Sequence, residues 1–143
     1  MALSYLPALP QGIRSGYATT TAAIGTITGT APTNTVLLLT ANTANGSIIT
    51  KITATPRATA AANVLVLWGS LDGGTTKYVI AMKVVASDTV STTDPAVTID
   101  FGYTIAAPLF LSASGGVGES LYVGNTVADP ASGYVWRCEG RDM

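Results

Sequence analysis

Asn63-Val-Leu-Val-Leu-Trp-Gly-Ser-Leu71 and Thr76-Lys-Tyr-Val-Ile-Ala-Met-Lys-Val-Val85 flank Asp72-Gly73-Gly74. Both runs are rich in β-branched and aromatic residues, which suit a pleated surface, and the glycines stand where the chain must reverse. The stretch reads as a β-hairpin. Working outward, Thr35-Val-Leu-Leu-Leu-Thr40 is a short apolar run of buried-strand type, and Ile48 to Thr55 mixes β-branched with polar residues at strand length. Asn45-Gly46 lies between them and predicts a second hairpin, because both residues tolerate positive φ. Further strands are expected at Ala96 to Phe101, Leu109 to Ala113, Ser120 to Asn125 and Gly133 to Glu139, separated by Asp-Pro, Ala-Pro or Gly-Gly.

No segment carries a helical stripe. The pattern predicts an all-β chain, an antiparallel β-sandwich with a jelly roll as the leading topology. Residues 1–18 read as an extended N-terminal arm and 19–143 as a single sandwich domain. Pro7 and Pro10 interrupt the arm, and Leu3, Tyr5, Leu6, Leu9, Ile13 and Tyr17 along it are its candidate partner-binding residues. Residues 19–30 suit an edge strand or an ordered loop. Trp68, Tyr78, Phe101, Phe110, Tyr122 and Trp136 fall within strand runs and are expected as core or cross-strand partners.

Charge narrows the function classes. Asp, Glu, Lys and Arg make up 10% of the 143 residues, against about 25% in ordinary soluble domains. A surface so poor in ions is suited to contact with protein. Seven basic and eight acidic residues give a net charge of −1 with no basic stripe, so nucleic acid is not an expected partner. No apolar run reaches the roughly 18 residues of a spanning helix, and no membrane partner is expected. The opening residues lack the basic and apolar regions of a signal peptide. Synthesis in the cytoplasm is the expectation.

Chemistry finds little footing. The chain has no histidine, which removes the commonest general base and transition-metal ligand. Asp88, Asp94 and Asp100 recur without forming a dense oxygen cluster. Gly69 to Lys77 lacks the Gly-Lys order and following helix of a phosphate loop. Cys138, the one cysteine, has no accompanying base and reads as a buried structural thiol. Neither an enzyme, a cofactor nor a metal is expected.

The stretch from Ile49 to Lys77, the later Pro108-Leu-Phe-Leu-Ser-Ala-Ser and the closing aromatic strand around Tyr134 and Trp136 resemble small virion proteins of tailed bacteriophages, the capsid decoration or cement family. The resemblance covers roughly residues 35–139. It implies a β-sandwich that binds the major capsid protein on the capsid exterior and assembles with itself as a homo-dimer or homo-trimer. The ending from Tyr134 to Met143 departs from relatives that finish in a Gly-rich acidic tip. A tail or fibre component is the alternative within the structural class, and a carbohydrate-binding sandwich the alternative outside it. Lys51, Lys77 and Lys83 are too few to guard every sheet edge, which independently favours self-association.

Overall fold

The computed structural model describes residues 12–129 and 133–143, and in them the chain is all-β. The strands are β1 (Ile13–Thr20), β2 (Val36–Thr40), β3 (Ser47–Pro56), β4 (Asn63–Ser70), β5 (Tyr78–Val85), β6 (Ile99–Asp100), β7 (Leu109–Leu111), β8 (Ala113–Ser114), β9 (Val117–Gly118), β10 (Ser120–Asn125) and β11 (Tyr134–Asp142). One sheet runs β1-β11-β3-β6, with β7 also paired to β3; the facing sheet runs β2-β10-β4-β5. All these pairings are antiparallel. The short β8-β9 hairpin stands apart.

Between the two sheets lies the main core. Ile49, Ile52, Trp136 and Cys138 come from the first sheet, and Leu38, Leu65, Leu67, Leu121 and Val123 from the second. The Trp136 ring meets Phe101 at 5.4 Å between centroids. Its indole N–H donates to Thr20 Oγ1 at 2.9 Å, which satisfies a buried polar atom. Burial pushes the Cys138 thiol up to about 11, despite a backbone contact from Gly16 that opposes the shift.

Strand β4 explains its own unbroken apolar sequence. Leu65 and Leu67 face the main core, while Val66 and Trp68 pack on the other side against Ile24. A strand covered on both faces does not alternate. The cover is the connection 21–35, tied down by Ile24 N–H to Asn125 O at 3.0 Å and by Lys77 N–H to Thr30 O at 2.7 Å. Residues 19–30 are therefore the end of β1 followed by an ordered strap across the second sheet.

The β4-β5 hairpin forms as its sequence predicts. Asp72 holds the reversal: its carboxylate accepts from the Thr76 N–H at 2.8 and 3.0 Å and from the Ser70 hydroxyl at 2.8 Å. Those bonds, the Thr76 N–H first, lower its pKa from 3.8 to about 2. The buried Glu119 carboxylate accepts from Ser112 N–H at 2.9 Å, from the Ser112 hydroxyl and from the Tyr78 hydroxyl. Burial, then that bond to Glu119, raises the Tyr78 phenol above its ordinary range.

Three expectations change. Asn45-Gly46 does not close a β2-β3 hairpin, since β2 pairs with β10 and β3 with β11 in opposite sheets. Gly46 does adopt positive φ, 84°, but the reversal is an arch from one sheet to the other, as the burial of both Leu38-Leu39 and Ile49-Ile52 requires. The arm boundary also moves. Residues 13–18, read as the end of the arm, belong to β1, paired with β11 along its length. The small inward residues Gly16 and Ala18 hid the strand, because its large side chains, Ile13 and Tyr17, point outward. Finally, the strand expected over Ala96 to Phe101 shrinks to Ile99–Asp100, and Leu109 to Ala113 divides between β7 and β8.

Candidate functional site: the outer face of the first sheet

Side chains on β1 and β11 alternate. In β1 the residues Ile13, Ser15 and Tyr17 are exposed while Ala18 and Thr20 are buried; in β11 the exposed residues are Arg137, Glu139 and Arg141. Strand pairing stacks these residues into rows across the sheet. One row runs Ile13, Arg141, Ile48, Phe110. The next holds Ser15, Glu139 and Lys51, and a third runs Tyr17, Arg137, Thr53, Asp100. Neighbouring strands lie about 4.8 Å apart, so members of a row are side by side.

The face is apolar at its margins and ionic along its middle. Ile13 is 91% exposed, Tyr17 67% and Phe110 62%. Ile105 extends this margin from the connection after β6, lining a shallow depression with Thr50, Gly140 and Arg141. Arg137 Nη2 lies 3.3 Å from Glu139 Oε1, an exposed pair that leaves the rest of the guanidinium available to a partner. Arg14 reaches Asp142 at 2.5 Å, and Asp142 also accepts from Ser47 at 2.9 Å and Asn42 at 3.3 Å. The Arg14 bond first, then Ser47 and Asn42, hold the Asp142 carboxyl below its usual range. This cluster locks β1, β11, β3 and the β2-β3 arch together at one end of the face.

Of the residues proposed from sequence for partner binding, Ile13 and Tyr17 stand on this face, two rows apart. Leu3, Tyr5, Leu6 and Leu9 lie outside the described residues. Arg137, Arg141 and Ile105 were not singled out from sequence, and Phe110, expected as a core or cross-strand residue, lies opposite Ile48 but is largely exposed on this face. The alternation Val135, Arg137, Glu139, Arg141 was the available signal for an outward strand face.

Among the described residues, the recess nearest the first sheet's other end is small. The recess between the end of β5 and β6, lined by Pro56, Val85, Asp88, Val97, Ile99 and Tyr134, is about 170 Å³, below the ~300–1,000 Å³ of ligand pockets. Its carboxylate, Asp88, already accepts from the Val97 N–H at 2.9 Å. Among the described residues no group of three or more His, Cys, Asp or Glu is placed to hold a metal ion.

No protein-family model matches the chain, and no curated protein or solved structure is significantly similar to it.

Proposed function

We propose that this protein is a structural component of a virus particle, decorating the outside of a tailed-phage capsid by binding the major capsid protein through the outer face of its first sheet. The observation that carries the contact role is the juxtaposition of Tyr17 with Arg137 and of Ile13 with Arg141 on one exposed face. Aromatic residues and arginine are the types that dominate binding energy at protein interfaces. The virion setting rests on the resemblance of residues 35–139 to decoration proteins. The strand order supports the jelly-roll form of the sandwich. With β8-β9 set aside and β6 and β7 counted as one interrupted strand, the sheets read first-eighth-third-sixth and second-seventh-fourth-fifth. Jelly rolls serve both viral capsids and lectins, so the fold supports the reading without selecting it.

Immunogold electron microscopy of intact particles tests the proposal. Label over the outer shell is the expected result; label confined to the tail points to the fibre alternative and overturns the capsid assignment. Tyr17→Ala and Arg137→Ala should each weaken attachment to shells by about tenfold or more. Attachment as tight as wild type in both variants would remove this face from the interface. The carbohydrate alternative draws on Tyr17 standing beside the polar Arg137, and glycan binding lost on Tyr17→Ala would favour it instead.

A further inference from the structure

The two sheets have four edges, and three of them are short or covered. β6 and β7 have two and three residues. β1 and β2 close on each other, with Gly16 against the Leu38 carbonyl. The fourth edge is β5, eight residues long, paired to β4 on one side and to no described strand on the other. It contains no proline and one charge, Lys83. Val84 is 85% exposed and Met82 54%. Unpaired main-chain groups along such a strand are a template for another strand.

From this we infer that β5 pairs with β5 of a second copy, antiparallel about a two-fold axis at Met82, joining two four-stranded sheets into one continuous sheet. The position of the one charge and the extent of the strand together select the register. When identical antiparallel strands pair about a two-fold, one residue lies opposite itself. An axis at Lys83 would oppose two ammonium groups directly, which is unfavourable. The irregularity between Leu67 and Trp68 in the β4-β5 ladder leaves Ile80 as an extra residue, so an axis at Ala81 or earlier would centre on a bulge. An axis at Val84 also separates the lysines but would leave Tyr78 to Met82 beyond the end of the partner strand. The axis at Met82 places Met82 opposite Met82 and Ala81 opposite Lys83 and lays Val79 to Val85 of the two copies side by side. Every ion then faces a neutral residue, and the outward Met82 and Val84 of both copies form one apolar cluster. A foreign strand would have only Lys83 by which to be recognised, whereas a second copy supplies the matching apolar sequence and a closed, isologous contact.

This interface lies on the sheet opposite the proposed shell-binding face, and the purified protein alone tests it. Met82→Cys should form a disulfide-linked dimer as its main product under mild oxidation of the folded protein. Opposed Cβ atoms about 4.5–5.5 Å apart need only a small adjustment to bridge at about 3.5–4.5 Å, and the buried Cys138 supplies no competing thiol. Light scattering of the wild type at micromolar concentration should give the mass of two chains. Val84→Lys, at an exposed position that leaves the core intact, should raise the dimer dissociation constant about tenfold or more with an unchanged circular dichroism spectrum. A wild type of one-chain mass, Met82→Cys that stays unlinked, or Val84→Lys with wild-type dimerisation would overturn the inference. None of these outcomes bears on whether the first sheet binds a shell.

Discussion

Gly16 shows how one missing side chain positions a strand. A Cβ at this position would run into the Leu38 carbonyl and come within 2.6 Å of Cys138 Sγ, so only glycine lets β1 close onto β2. The obstructing carbonyl belongs to a strand backbone and cannot rotate away. Gly16→Val is expected to cost about 1–3 kcal/mol or more through overpacking, read as a lower denaturation midpoint with unchanged slope. Asp72 acts through charge. Its folded pKa, about 2, lies below its unfolded value near 3.8. The stability it contributes is therefore fully present above the unfolded value and lost as pH falls from about 4 toward 2. Asp72→Asn should remove that part of the acid sensitivity; urea midpoints measured between pH 2 and 6 for both proteins would show it, and parallel curves would refute the assignment.

At the scale of elements, the strap 21–35 and strand β4 depend on each other. Ile24 covers Val66 and Trp68 on a sheet face that would otherwise meet water. Ile24→Ala should cost about 2 kcal/mol, the lower end for such truncations because a surface strap can settle into the space. Intrinsic fluorescence should shift to the red as water reaches the indole of Trp68. The two tryptophans differ in a second way. Trp136 donates to Thr20, whereas Trp68 Nε1 is buried with no hydrogen-bond partner among the described residues. Thr20→Val, which leaves the Trp136 N–H unpaired, should cost about 1–3 kcal/mol. Trp68→Phe removes an N–H that had no bond to lose, so it should cost less than Trp136→Phe in the same denaturation assay.

For the whole molecule, the first strand begins at Ile13 and every described core residue lies at Ala18 or beyond. Deleting residues 1–11 should accordingly leave the melting temperature within a few degrees of wild type while weakening attachment to a shell, if Leu3, Tyr5, Leu6 and Leu9 add contacts to those of the sheet face. Unfolding of the truncated chain would show that these residues belong to the domain. The ionic middle of the face, with Arg137, Glu139, Lys51 and Arg141, should make shell attachment fall moderately with salt. Pairing through the apolar β5 edge should persist at about 1 M salt, where the Debye length is near 3 Å. Sedimentation at low and high salt, with and without shells, separates the two contacts.

The β-class of the chain and the β4-β5 hairpin were legible in the sequence because they depend on neighbours: β-branched runs favour extended backbone, and Asp72 with Gly73 and Gly74 reverses it within a few residues. Tyr17 and Ile13 were legible as outward-facing residues for a similar reason, being large side chains on a segment with little apolar company. The same local chemistry at Asn45-Gly46 fixed a reversal but not the sheet to which the next strand returned. That choice depended on burying Leu38 and Ile49 against each other, an energy shared by residues distant in sequence. The rows joining Tyr17 to Arg137 and Ile13 to Arg141 likewise exist only through the pairing of β1 with β11, across more than a hundred residues of intervening chain. Nor could composition show which edge stays open: that β1 closes onto β2 while β5 has no described strand beside it follows from how the two sheets meet, at Gly16 on one side of the sandwich.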